Sequence, residues 1–300
     1  MTDVAPFLEA AVRTATPLLL AAIGETVSQR AGVLNIGLEG CLIAGAYAAY
    51  VVSGNPALGY GAAMLAGISG GLLLAFFSIY LRRDQVIVGT ALTMLGLGVT
   101  GTLFRARGSE AALVIDTARP LAIPVLSDIP LVGPALFAQP VVTYLAFLLV
   151  PATWWWLYRT HHGLAIRAVG DAPDAARAAG IRPGRVQLTA LLFGSALGGL
   201  AGGALVLAQA GAFAEGMSAG RGFLAIAIVA LGRWRPVGVL LAAVVFGSAM
   251  ALQFVVQALG WSIRYELVLM IPYLLTLVAL VISGRSTAPA MLGRTADSAR

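Results

Sequence analysis

The stretch YGAAMLAGISGGLLLAFFSIYL, Tyr60 to Leu81, runs for 22 residues without a charged side chain. A helix rises about 1.5 Å per residue, so roughly 20 such residues cross the hydrocarbon core of a bilayer. A backbone in lipid must satisfy its own hydrogen bonds, and helices do this segment by segment. Val141 to Tyr158, Val237 to Leu259 and Leu267 to Ile282 have the same character. Of the 300 residues, 59% are hydrophobic and only 11% are charged, against about 25% charged in soluble domains. The charges fall between the apolar runs, not within them. The alternating ten-residue strands of an outer-membrane barrel are absent. The expected fold is an all-α, polytopic transmembrane helical bundle.

Nine spans are expected, within a range of eight to ten, near 7–24, 33–53, 58–81, 85–104, 140–158, 186–211, 222–232, 237–259 and 264–283. The seventh is too short to cross alone and reads as a broken or half-length helix. All positive charge is arginine, and it sits in short loops, which fits a topology signal better than a nucleic-acid surface. Placing the loop 159–185 on the cytoplasmic side puts thirteen of the nineteen arginines on that side, so the N-terminus is expected outside and the C-terminus inside. Cys41 has no partner for a disulfide or a metal set, and adjacent His161 and His162 cannot share a helix face. No removable signal peptide is expected.

Two connections are long. The external one, 105–139, contains Pro120, Pro124, Pro130 and Pro134, so it cannot be one helix; its apolar stretches suggest a cap on the bundle. The tail after Ser283 is polar, rich in small residues, and expected to be disordered. No glycine-rich loop ends in Lys-Ser or Lys-Thr, so uphill work would draw on a partner or an ion gradient.

Residues 24–45 read GETVSQRAGVLNIGLEGCLIAG. On one helix, Glu25, Ser28, Gly32, Asn35 and Glu39 would form a polar, small-residue stripe. Asn35 and Glu39, inside an apolar run, either line a conduit or cap and bridge helices. Residues 163–183 read GLAIRAVGDAPDAARAAGIRP. Asp171 or Pro173 can start a short helix, Gly180 suits its left-handed end, and Pro183 stops it. Such a helix, with small side chains, suits docking into a groove on another protein. Gly194, Gly198 and Gly202, with a second row of Ser195, Gly199 and Gly203, permit close helix packing. Gln209, Glu215, Gln253 and Gln257 lie near expected outer ends, where they meet a polar substrate or a partner protein, or are plainly solvated at the interface. Glu9 and Arg13 suggest an interfacial start to the first span. Trp154, Trp155 and Trp156, and Trp234 between two arginines, read as interfacial anchors.

GETVSQRAGVLNIGLEG, DAPDAARAAGIRP and GRGFLAIAIVALGRWRPVG (Gly220 to Gly238) resemble, in order, three blocks of bacterial ABC importer permeases for simple sugars and nucleosides. These belong to the branched-chain amino acid and ribose permease group, and the chain looks most like the shorter permease of nucleoside uptake systems. One departure is Asp171, where many relatives have asparagine. The resemblance implies a single permease domain over 1–285 with a tail at 286–300, in the bacterial cytoplasmic membrane. It implies a separate ATP-binding subunit carrying ATP and Mg, a second and different permease chain, and an extracytoplasmic substrate-binding protein. No cofactor of the chain's own is expected. Coupling to the ATPase would fall on Gly170, Asp171, Ala175, Ala176, Arg177, Gly180 and Ile181; the translocation path, or helix packing, on Asn35, Glu39, Gln209 and Gln253. The alternative is an ion-gradient-driven transporter, which normally carries ionisable residues deep in several spans. An intramembrane enzyme would need a nucleophile–base or metal constellation.

Overall fold

The computed structural model describes residues 4–52, 54–107, 115, 117–124, 126–127, 129–130, 132–258, 270–282 and 288–293. The described chain runs α1 (Val4–Arg30), α2 (Leu38–Val51), α3 (Pro56–Ala75, prolonged by a π-helical turn to Tyr80), α4 (Gln85–Ala106) and β1 (Leu121–Ala122). It continues through α5 (Val132–Phe137), β2 (Ala138–Gln139), α6 (Val141–Arg159), α7 (His161–Asp171), α8 (Pro173–Ala178) and α9 (Pro183–Ala204, prolonged to Ala210). α10 (Arg221–Leu231), α11 (Pro236–Ala258) and α12 (Ile271–Ile282) complete it. Helices α1, α3, α4, α6, α9 and α11 are long and apolar enough to cross a membrane. The fold is an all-α polytopic bundle.

Local signals set the helix starts. Asn55 accepts from the Ala57 N–H with Pro56 in the first turn of α3, and Asp84 accepts from Val86 and Ile87 at the start of α4. Helix α9 is the axis of the bundle: 89% of its most apolar window is buried, against 22% for α4 at the periphery. It packs against α1, α2 and α3, while α1 also packs on α10 and α11. The two small-residue rows make this possible. Gly194, Gly198 and Gly202 face α1 and α2, and Ser195, Gly199 and Gly203 face α3. A Cβ on Gly202 would run into the Leu42 carbonyl oxygen, and one on Gly199 into that of Ala63. In lipid, where apolar side chains gain little by leaving their surroundings, such close backbone approach is a main source of helix association. The outward faces of α3, α4, α6 and α11 carry exposed Leu65, Met94, Leu148 and Leu241.

Three expectations need correction. Residues 24–45 are not one helix. At the end of α1 the Val33 N–H donates to Ser28 O (3.1 Å) and the Gly32 N–H to Gln29 O (2.9 Å), with Gly32 at φ +83°. That Schellman-type ending stops α1 at Arg30, and α2 resumes only at Leu38, so the single polar stripe does not exist. Trp234 is not an interfacial anchor. Arg233 and Trp234 both have φ near +55°, which turns the indole inward, where it is 8% exposed. The tail is not free at residues 288–293: the Met291 N–H donates to Gly170 O (3.0 Å), and Ala288 and Leu292 pack on the core.

The seventh expected span is α10, 11 residues long and about 16 Å in length. The described part of the external connection lies on the end of α9: the Ile115 N–H donates to Gly211 O and the Ala118 N–H to Leu207 O, each at 2.6 Å. The short β1–β2 pair joins Leu121 to Gln139. Of the ninth span, residues 264–269 and 283 lie outside the described residues, as does the Gln257 side chain.

Candidate functional site: a helical elbow and two buried polar nodes

Between α6 and α9 the chain makes two helices, not one. Thr160 alone separates α6 from α7; its Oγ1 accepts from the Gly163 N–H (3.1 Å) and donates to Trp156 O (2.6 Å). Gly163, Ile166, Val169 and Gly170 form the buried face of α7. Gly163 and Gly170 are glycine for space: a Cβ would strike the carbonyl oxygens of Trp156 and Arg30 respectively. Asp171 is the last residue of α7, so it cannot cap α8 as the sequence suggested; α8 starts at Pro173 in its first turn, with no side-chain cap. It ends in a second Schellman motif, Ile181 N–H to Ala176 O and Gly180 N–H to Arg177 O, both 3.0 Å. Gly180 has φ +84° with nothing within 4 Å of a built Cβ.

The elbow therefore divides the residues on which coupling to an ATPase was expected to fall. Gly170 and Ala176 face inward and Ile181 is half-buried, while Asp171, Ala175, Arg177 and Gly180 are exposed. The exposed Asp174–Arg177 pair (2.6 Å) contributes at most about 1 kcal/mol. One residue links the elbow to α6, and Pro183 opens α9 after it, so the elbow is joined directly to two spans, one of them the bundle axis.

Glu39 forms the first polar node. It is 3% exposed; Oε1 accepts from the Gly220 N–H (2.9 Å) and Oε2 from the Gly222 N–H (2.6 Å). One carboxylate thus sits in the first turn of α2 and caps the N-terminus of α10, satisfying donors that have no partner within their own helix. Gly222 must be glycine, since a Cβ would lie 2.6 Å from the Glu39 nitrogen. The second node lies at the other end of the 31–37 break. Glu25 Oε1 accepts from Gln29 Nε2 (2.8 Å) and the Asn35 N–H (3.1 Å). Asn35 Nδ2 donates to Ser195 Oγ (3.2 Å), and Trp234 Nε1 to Gln29 Oε1 (2.6 Å). Asn35 and Glu39 thus serve separate nodes. Sequence reading missed Gln29 and Trp234 as partners; Gln29 stands four residues after Glu25 on one helix face, a usable signal, whereas Trp234 carried none.

Gln209 donates from Nε2 to Arg13 O and, with Glu9 and Arg13, lines a cavity of about 390 Å³. Glu9 and Arg13 pair at 3.2 Å. Glu215 pairs with Arg105 at the end of α4, and Gln253 is half-buried on α11. The structure does not bring Gln209 and Gln253 to either node. Among the described residues there is no group of three or more His, Cys, Asp or Glu able to hold a metal.

The architecture is thus a bundle of membrane-length helices in which two short helices meet on a buried carboxylate and an exposed elbow is joined to the bundle axis. Residues 7–280 match the family described as branched-chain amino acid transport system permease component, and the chain belongs to that family. It is similar to a putative glucose ABC transporter permease of Haloferax volcanii, TsgC13, with 39% identity over 268 residues, covering 88% of this chain and 81% of the relative. It is 36% identical over 290 residues to the guanosine ABC transporter permease NupQ of Bacillus subtilis, covering 92% and 91%. To the nucleoside ABC transporter permease NupC of Lactococcus lactis it is 30% identical over 288 residues, covering 91% of each. No solved structure matches the chain significantly. The chain is therefore a multi-pass permease subunit of an ABC transporter, a transport component and not an enzyme, and its family implies an ATP-binding partner.

Proposed function

We propose that this chain carries a nucleoside or a related simple sugar across the cytoplasmic membrane, and that the α7–α8 elbow is where its ATPase takes hold. The carrying observation is the elbow itself: small exposed side chains on a short helix, held at both ends by spans. Support for the solute class comes from the nucleoside, guanosine and glucose permeases to which the chain is similar over most of its length. The reading includes a second, unlike permease chain, an extracytoplasmic binding protein, an external N-terminus and a cytoplasmic C-terminus, as the arginine distribution favours. ATP-driven closure of the partner would shift the bundle between outward- and inward-open states through differential contacts with the elbow.

Gly180→Ile tests this. A Cβ at this exposed position meets no heavy atom within 4 Å, and the left-handed backbone disfavours isoleucine by about 1–2 kcal/mol locally. Membrane insertion and thermal stability of the bundle should stay close to the parent, while co-purification with the ATPase and uptake by the reconstituted complex are lost. Normal ATPase binding in this variant would refute the docking role. Uptake assays with nucleosides, purine bases and pentoses decide the solute, and accumulation by the isolated chain under an ion gradient would defeat the ATP-driven reading.

A further inference from the structure

A cavity of about 640 Å³ opens where several helices end on the elbow side, and its lining includes Arg30, Trp154, Tyr158, Arg167, Asp171 and Arg235. The chemistry of this lining is unbalanced. Three guanidinium groups face one carboxylate, and the bonds made by the two half-buried arginines are to neutral groups. Arg30 donates to Trp234 O (3.0 Å) and to the Tyr158 hydroxyl (3.3 Å), and Arg167 lies over the Tyr158 ring at 5.0 Å. Arg235 is exposed beside the first turn of α11, whose positive end adds to the same field. A cluster of guanidinium groups in fork geometry is suited to phosphate oxygens.

The depth of the cavity identifies the source of the phosphate. Arg30 is the last residue of α1, Trp154 and Tyr158 lie in the last two turns of α6, and Val237 lies in the first turn of α11. All are the ends of membrane-length helices on one side, the level at which tryptophan and tyrosine meet headgroups. Trp154 and Val237 are 40% and 53% exposed, and away from the cavity both helices continue as exposed apolar faces, through Leu148 on α6 and Leu241 on α11. A phosphate in the cavity thus has room for attached acyl chains along those faces. The geometry points to a binding site for the phosphodiester headgroup of an anionic phospholipid, between α1, α6, α7 and α11. Because Arg167 and Asp171 belong to α7, the bound headgroup ties the elbow to two spans. The inference depends on the lipid embedding of α6 and α11 and is independent of the transported solute.

Native mass spectrometry of the full chain, titrated with phosphatidylglycerol or phosphatidylcholine, tests it. The parent protein should retain phosphatidylglycerol in preference to phosphatidylcholine. In Arg167→Gln/Arg235→Gln, affinity for phosphatidylglycerol should fall about thirty-fold, from roughly five- to six-fold per arginine. Arg30 is left intact because its bonds hold the Trp234 turn. Arg83→Gln removes an exposed charge that does not line the cavity and should change little. Thermal unfolding of the double variant within a few degrees of the parent shows that the loss is not a folding defect. Equal retention of the two lipids, or an equal loss in Arg83→Gln, would overturn the site. Competition by millimolar inorganic phosphate without any lipid preference would assign the cavity to a soluble anion and overturn the lipid as occupant.

Discussion

Glu39→Ala is expected to lower the stability of the folded bundle by about 4 kcal/mol, since each buried donor left without a partner costs about 1–3 kcal/mol. The two donors are the Gly220 and Gly222 N–H groups at the start of α10. Glu39 is 3% exposed, Gly222 is buried and Gly220 half-buried, so water has little access to the donors. Alanine also removes a negative charge from between two helix N-termini, which each favour one. Glu39→Gln keeps one acceptor oxygen and offers an amide where the second donor needs an acceptor, so it should fall between parent and alanine. Thermal unfolding followed by size-exclusion in detergent should show a drop on the order of 10 °C for alanine, with uptake reduced in the same order. A Glu39→Ala protein as stable as the parent would mean that the cap does not hold α10 in place.

Gly202→Ala should be nearly as damaging, for a different reason. The added methyl lands on the Leu42 carbonyl oxygen, and other backbone atoms of α2 stand within 3 Å. No rotamer change relieves a clash of backbone with backbone, so α9 and α2 must separate. Overpacking of a well-packed site costs about 1–3 kcal/mol and more where the surroundings cannot yield; about 3 kcal/mol is expected here. Gly61→Ala and Gly98→Ala are the informative contrasts. Both lie exposed within helices with nothing within 4 Å of a built Cβ, so helix propensity alone should make them neutral or stabilising by up to about 1 kcal/mol. Measured as folded fraction against increasing denaturing detergent, opposite signs for the same glycine-to-alanine change would locate the packing seam. A harmless Gly202→Ala would show that the α9–α2 contact is looser than described.

Much of this architecture was legible in the sequence, because lipid imposes length and apolarity on every span. The shortness of α10 showed as an apolar run closed between Gly220 and Gly232, and the end of α8 showed in Gly180 and Pro183. The break at 31–37 was harder to see. Val33, Leu34 and Ile36 are as apolar as a helix would want, and only the positive φ of Gly32 stops α1. Asp171 looked like a cap because the sequence does not display that α7 claims it as its own last residue. Trp234 was misjudged for a comparable reason: two consecutive non-glycine residues with left-handed backbones are held by tertiary packing, and local propensity argues against them. Asn35 and Glu39 were legible as polar groups that had to be satisfied, but not as to by what, since the Glu39 partners lie at the start of α10 and Asn35 binds Ser195 on α9.

The bond from Met291 to Gly170 has a consequence for biogenesis. The ribosome makes the elbow long before it makes the segment that clasps it, so until Met291 emerges and reaches α7 the Gly170 carbonyl lacks that donor. The packing around α7 is therefore completed only after the last helices have been made, and residues 288–293 belong to the folded body and not to a dispensable end.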